Sequence, residues 1–180
     1  SYTILKEEIS KGHFVIDFSK FEKIALYNLR LMSLEDIKKL PDVSEGLEHL
    51  IKKAAFSCNT INDFINIVCS KRYTQTRIRR IILYSILGIT KKDIDISKKI
   101  VPYVRVLGFN DKGKNLISKI KHKNPGIKIV TSVKKFVDTN SNKNLQTLIN
   151  KDILATNIYT LGFENDSWGN WDFSRKIVVK

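Results

Sequence analysis

Between residues 19 and 90 the apolar side chains return every three or four positions in short bursts, and each burst is fenced by a cap or a breaker. That pattern restricts the chain to short helices packed on one another, because a helix with one apolar stripe must bury it against a neighbour. Ser19-Lys20-Phe21-Glu22 reads as a capping box, and Phe21, Ile24, Ala25 and Leu29 follow at helical spacing. Ser33-Leu34-Glu35-Asp36 repeats the start signal, and Pro41 ends that helix. Asp42-Val43-Ser44-Glu45 opens the clearest stripe: Leu47, Leu50, Ile51, Ala54 and Ala55. Thr60 caps the next, with Ile61, Phe64, Ile65 and Val68 facing inward. Thr74 or Thr76 caps a helix whose apolar positions are Ile78, Ile81, Ile82, Ile86 and Ile89. At about 100° per residue, Arg77, Arg80 and Tyr84 share its opposite flank.

After Gly88 the pattern changes. Ile94 to Ile100 reads as a short helix stopped by Pro102, and Tyr103 to Phe109 as a buried strand. Asn110 or Asp111 starts a helix through Leu116, Ile117 and Ile120. Ile127 to Val130 is strand-like again, which makes a small βαβ unit. A last helix runs from about Lys143 to Tyr159, with Leu145, Leu148, Ile149 and Ile153 inward and Gly162 beyond its end. Asp166 to Trp171 reads as a polar loop in which Trp168 and Trp171 are packing anchors, and Ile177 to Val179 as an edge strand. The expected fold class is therefore mainly α with a small β element (α+β), a bundle of short helices plus a βαβ-like appendage. The expected organisation is a helical bundle over 1–90, with a basic helix start at 71–80, and a smaller α/β portion over 91–180 packed on it as one compact unit.

Composition narrows the function classes. The chain has 180 residues, of which 42% are hydrophobic, enough for one domain or a domain with an appendage. No run approaches the roughly 18 apolar residues of a membrane span, and Ser1 to Glu8 lacks the apolar stretch of a signal peptide. The absence of an initiating Met suggests a piece of a longer chain. Cys58 and Cys69 match no disulfide or metal spacing, so free thiols in a reducing cytoplasm are expected. No Gly-rich phosphate loop, nucleophile elbow or zinc motif occurs, and no catalytic or metal-binding residue is assigned. In Glu45-Gly46-Leu47-Glu48-His49, Glu45 completes a cap and His49 sits on a polar face, which outweighs an acid-base reading.

The formal charge is +14 and it is not spread evenly. Residues 71–135 hold 18 basic and 3 acidic side chains, while the flanking stretches are close to neutral. A concentrated basic surface favours a polyanion through Coulomb attraction and counterion release. Four of the seven arginines fall within nine residues: Arg72, Arg77, Arg79 and Arg80. Lys71 adds a fifth charge at a helix N-terminus, which is already partly positive, so an anion is needed to offset the repulsion. Lys71, Arg72, Arg77 and Arg80 are the candidate phosphate grips, and Tyr73 is a stacking face for an unpaired base. Thr74 and Thr76 cap the helix and donate to phosphate. The competing reading is salt bridging to acids of residues 1–70. Arg105, inside an apolar strand, either pairs with an internal acid or projects to an RNA-facing edge. Lys112 and Lys114, with Lys119, Lys121 and Lys123, either track a backbone together or form a solvated face.

Four stretches in order then resemble the bacterial tRNA(Met) cytidine acetate ligase family. They are Glu45-Gly46-Leu47-Glu48, Ser70 to Ile78, Tyr103 to Phe109 followed by Lys112-Gly113-Lys114, and Asp152 to Tyr159. The resemblance implies an enzyme that uses ATP and acetate, through acetyl-adenylate, to acetylate the wobble cytidine of elongator tRNA(Met). It implies a nucleotidyltransferase-like half carrying His-x-Gly-His, which does not occur here. The expectation that follows is a carboxy-terminal, tRNA-binding half without the catalytic domain, binding tRNA and catalysing nothing alone. No cofactor is then expected in this chain, ATP and acetate belonging to the full-length enzyme. The expected partners are tRNA and the chain's own N-terminal nucleotidyltransferase-like domain. Gln75 stands where the family has a basic residue, and His49-Leu50 where it has Asn-Arg. The alternative from another class is a basic protein-interaction module docking an acidic partner domain.

Overall fold

A computed structural model of the chain describes residues 19–44, 46–99, 103–163, 169–174 and 177–179. They are mainly helical with a few short parallel strands, as the periodicity implies. The described residues of 1–94 and 158–168 form one compact unit, and those of 95–157 and 169–180 a second.

The first unit is a helical bundle: α1 (Ser19–Leu31), α2 (Leu34–Lys39), α3 (Leu47–Ser57), α4 (Ile61–Val68) and α5 (Gln75–Leu87). Helix α1 packs on α3, α4 and α5, and α3 packs on α2 and α4. The stripes meet in one core that holds Leu29, Ile37, Leu47, Ile51, Phe64, Ile78 and Ile81, all fully buried. Three caps form where the sequence puts them. Ser33 Oγ accepts from Asp36 N at 3.1 Å, Thr60 Oγ1 from Asp63 N at 3.1 Å and Thr74 Oγ1 from Arg77 N at 3.4 Å.

Two starts differ. Ser19 is the first residue of α1, and Glu22 Oε1 accepts from Ile61 N at 2.6 Å, so this carboxylate serves the N-terminus of α4. Helix α3 begins at Leu47, behind Gly46 at φ 82°, and Asp42 also takes a positive φ of 64°. These left-handed conformations keep Asp42 and Gly46 out of the helix. Glu45 lies outside the described residues. Charged side chains close several helix ends across the bundle. Arg30 donates to Ala55 O at 2.7 Å and Cys58 O at 2.6 Å at the end of α3. Lys52 donates to Arg30 O at 2.6 Å, and Lys91 to Lys38 O at 2.6 Å and Val43 O at 2.8 Å.

Helix α6 (Lys91–Lys99) contains the boundary between the units. Ile100 and Pro102 lie outside the described residues. The second unit then holds β1 (Val104–Arg105), β2 (Gly108–Phe109), α7 (Asp111–Lys123), β3 (Ile129–Val130), α8 (Val133–Thr139), most of α9 (Lys143–Thr160), α10 (Trp171–Ser174) and β4 (Val178–Val179). The expected single strand over 103–109 is two short ones in different sheets. Val104–Arg105 runs parallel to Ile129–Val130, and Gly108–Phe109 parallel to Val178–Val179. The split follows from backbone proximity: a Cβ on Gly108 would lie 2.8 Å from Val178 O. Asn110 caps α7, accepting from Gly113 N at 2.9 Å, and the parallel β1/β3 pair with α7 between them is the expected βαβ unit. Val130, Val133, Ile149 and Ile153 make a small core, with Tyr103, Phe136 and Val137 packed on it. Helix α8, capped by Ser132, and helix α10, which begins at Trp171, the last residue of the stretch read as loop, are elements that the periodicity does not announce. Trp168 lies outside the described residues.

Candidate nucleic-acid interface

The basic segment opens α5. A tight turn fixes the chain before it: Ser70 N donates to Tyr73 O at 3.0 Å and Tyr73 N to Ser70 O at 3.1 Å. The first turn of α5 contains no acid, so its free amides and the surrounding cations form one positive region. Tyr73 packs against the bundle core, and the guanidinium carbons of Arg77 and Arg72 lie 5.1 and 5.7 Å from its ring centroid. The ring is therefore already shared by two cations, which reduces the face it offers to a base.

The arginines do not behave alike. Arg77 donates through Nε to Asp42 O at 2.8 Å and through Nη2 to Ser44 Oγ at 2.9 Å, so it holds the loop before α3. Arg80 Nε pairs with Asp42 Oδ2 at 2.8 Å while its side chain stays 47% exposed. That carboxylate raises the Arg80 pKa through a hydrogen bond and its charge. Arg72 is exposed and flanks Tyr73. Lys71 and Arg79 are exposed and have no protein partner among the described residues. The sequence reading gave Arg79 no role, although its place in the arginine cluster was a usable signal. Thr74 is the cap, and Thr76 lies exposed within the first turn.

In the second unit Lys112 and Lys114 are exposed at the start of α7. Arg105 takes the internal-acid alternative: Nη2 pairs with Asp172 Oδ1, and Nη1 lies 4.0 Å from Asp152 Oδ2. Tyr103 donates its hydroxyl to Asp152. Burial, then that bond, pushes the Tyr103 pKa upward. An open cleft of about 640 Å³ is lined by Arg105, Thr131, Ser132, Thr156, Trp171 and Asp172 among others. The Asp172 side chain is only 7% exposed, and its Oδ2 is buried with no hydrogen-bond partner among the described residues.

Burial raises the Cys58 pKa, which keeps that thiol protonated, and both cysteines are free. The described residues hold no cluster of three or more metal-ligating side chains and no helix long and apolar enough to cross a membrane.

Comparison with known proteins gives a family. The family described as HIGH Nucleotidyl Transferase matches residues 1–170. The chain is 36% identical over 178 residues to a tRNA(Met) cytidine acetate ligase of Thermoanaerobacter sp. strain X514, covering 97% of this chain and 42% of the relative. It is 34% identical to the ligase of that name from Acetivibrio thermocellus, covering 99% and 44%. The crystal structure of Thermotoga maritima TmcAL bound with alpha-thio ATP matches with a TM-score of 0.86 at 30% identity, over 99% of this chain and 45% of that one. The chain thus spans less than half the length of the relatives it matches.

These findings correct two expectations. The chain is not a carboxy-terminal tRNA-binding half set apart from the nucleotidyltransferase, because the nucleotidyl transferase family is matched by this chain itself over residues 1–170. Nor does the expectation of no cofactor in this chain stand, since the chain itself matches the nucleotidyl transferase family, and the Thermotoga maritima relative of similar fold is crystallised with alpha-thio ATP. Both expectations rested on a missing four-residue motif. A short motif reports one loop, whereas a family is carried by the pattern of the whole chain. The chain belongs to the HIGH nucleotidyl transferase family.

Proposed function

We propose that this chain works in a tRNA(Met) cytidine acetate ligase and engages tRNA through the basic face at the start of α5. The relatives that carry that name support the substrate. The single observation that carries the contact is the outward presentation of Lys71 and Arg79, exposed and without a partner among the described residues, beside a helix N-terminus with no acid in its first turn. Phosphate oxygens satisfy such a group of amides and cations. Arg72 and Arg80 extend the face, while Arg77, Thr74 and Tyr73 shape it. Lys112 and Lys114 supply a second set of backbone contacts from the other unit.

ATP is the cosubstrate this reading implies, and the cleft of the second unit is the place to test it. The cleft volume of about 640 Å³ lies in the range of small-molecule sites. The unpartnered Asp172 oxygen suits a hydroxyl or amine donor. Arg105, the cation among the described lining residues, is already held by Asp172 and Asp152, so it has little charge left for a triphosphate. Among the described residues the cleft suits the nucleoside part of ATP better than its triphosphate.

The test is binding of labelled tRNA by the protein and by charge-reversed variants. Lys71→Glu with Arg79→Glu is expected to weaken binding at least tenfold with the thermal midpoint unchanged. Arg77→Ala is expected to lower stability by about 1–3 kcal/mol through the lost bonds to Asp42 and Ser44. Unchanged tRNA affinity in the charge-reversed protein overturns the reading.

A further inference from the structure

We infer that the open groove between α7 and the β2–β4 pair docks an acidic amphipathic helix of a partner protein. The site lies apart from the start of α5 and does not rest on the tRNA reading. Helix α7 has 13 residues, none of them buried, and it packs chiefly on β2. A helix of that length is marginal by itself, and most helices hold through an apolar face packed on a neighbour. Beside α7 lies a groove of about 710 Å³ lined by Val106, Leu107, Phe109, Leu116, Ile117 and Val178 among others. Leu107, Leu116 and Val178 are 74%, 57% and 55% exposed, so this lining is apolar surface left in water. A contiguous patch of that kind marks an interaction site.

Charge on the rim selects the occupant. At about 100° per residue, Lys112, Lys119 and Lys123 fall within about 60° of Leu116 on one side of it, while Gly113, Ile117 and Ile120 fall on the other. Those lysines are exposed and have no partner among the described residues. A ligand in the groove therefore meets aliphatic side chains along the floor and a row of ammonium groups along one edge. An acidic amphipathic helix satisfies both demands. Its leucines at i, i+3, i+4 and i+7 enter the groove, and glutamates at their flank pair with the lysines. A bare polyanion meets the lysines and leaves the aliphatic surface wet, and a membrane is too flat to fill a concave groove. Lys114 and Lys121 fall on the far side of α7, so Lys114 stays open to ribose-phosphate. Lys119 and Lys123 take no part in the tRNA contact.

The experiment titrates the full chain with a labelled synthetic peptide that carries leucines at that spacing and flanking glutamates. The comparison probes are a scrambled peptide of the same composition, polyglutamate, and vesicles of phosphatidylglycerol. The ordered peptide is expected to bind at least about tenfold more tightly than the scramble or polyglutamate, to slow amide exchange along α7, and to keep its place when vesicles are added. Leu116→Asn is expected to weaken the peptide about tenfold and to leave tRNA affinity unchanged, and Lys119→Ala with Lys123→Ala to weaken the peptide about fivefold. These positions are exposed, so the variants keep the fold, and the peptide series on the unaltered protein stands without them. Equal binding of the scrambled peptide, affinity indifferent to Leu116→Asn, or displacement of the peptide by vesicles overturns the docking site.

Discussion

Arg77 and Arg79 sit two positions apart in α5 and do different work. Arg77 turns inward, reaching Asp42 O, Ser44 Oγ and the Tyr73 ring. Arg79 stays outward without a partner among the described residues. A guanidinium spent on a carbonyl, a hydroxyl and a ring has little left for phosphate, so the cluster divides into braces and contacts. Salt bridging to an acid of the first seventy residues, the competing reading, is met by Arg80 with Asp42. Tyr103 gives a residue-scale prediction in pH. Its pKa is raised by burial and by the bond to Asp152, so the folded state favours the neutral phenol. The stabilisation is complete below the ordinary tyrosine value of about 10 and is lost as pH rises through the raised one. Tyr103→Phe is expected to flatten the fall in thermal midpoint above about pH 10; parallel curves for the two proteins would contradict this.

At the scale of elements, legibility followed locality. Ser33 and Thr60 cap helices as read, and Thr74 and Asn110 are each one of the two candidates read at their helix starts, because a cap needs only an oxygen and an amide two or three residues on. Glu22, Arg30 and Lys52 close helix ends 20 or more residues away, and no local pattern announces such partners. The apparent strand of Tyr103 to Phe109 split for the same reason: its two halves answer to different, distant strands. The candidate site shows the same division. The arginine cluster was visible as composition, but its split into inward and outward members depends on Asp42 and Ser44, and Asp172 gave no signal at all. Gly108 holds the β2–β4 pair by lacking a Cβ, which would stand 2.8 Å from Val178 O. Gly108→Ala is therefore expected to destabilise the second unit by about 1–3 kcal/mol, with amide exchange accelerating at Val178 and Val179 and not in the first unit. Unchanged exchange would show that the strands tolerate the methyl.

For the molecule as a whole, the excess charge of the middle third is carried by both units: the 71–80 segment lies in the first and Lys112 and Lys114 in the second. Membership of the nucleotidyl transferase family covers both, and under the proposed function this charge meets tRNA. The central claim is that the face at the start of α5 grips ribose-phosphate, and the salt dependence of tRNA affinity measures it most directly. Four phosphates held by Lys71, Arg72, Arg79 and Arg80 give a log–log slope of about −3 to −4. Replacing Lys71 and Arg79 together is expected to make that slope shallower by about 1–2. A slope near zero, or no affinity at low salt, would contradict it.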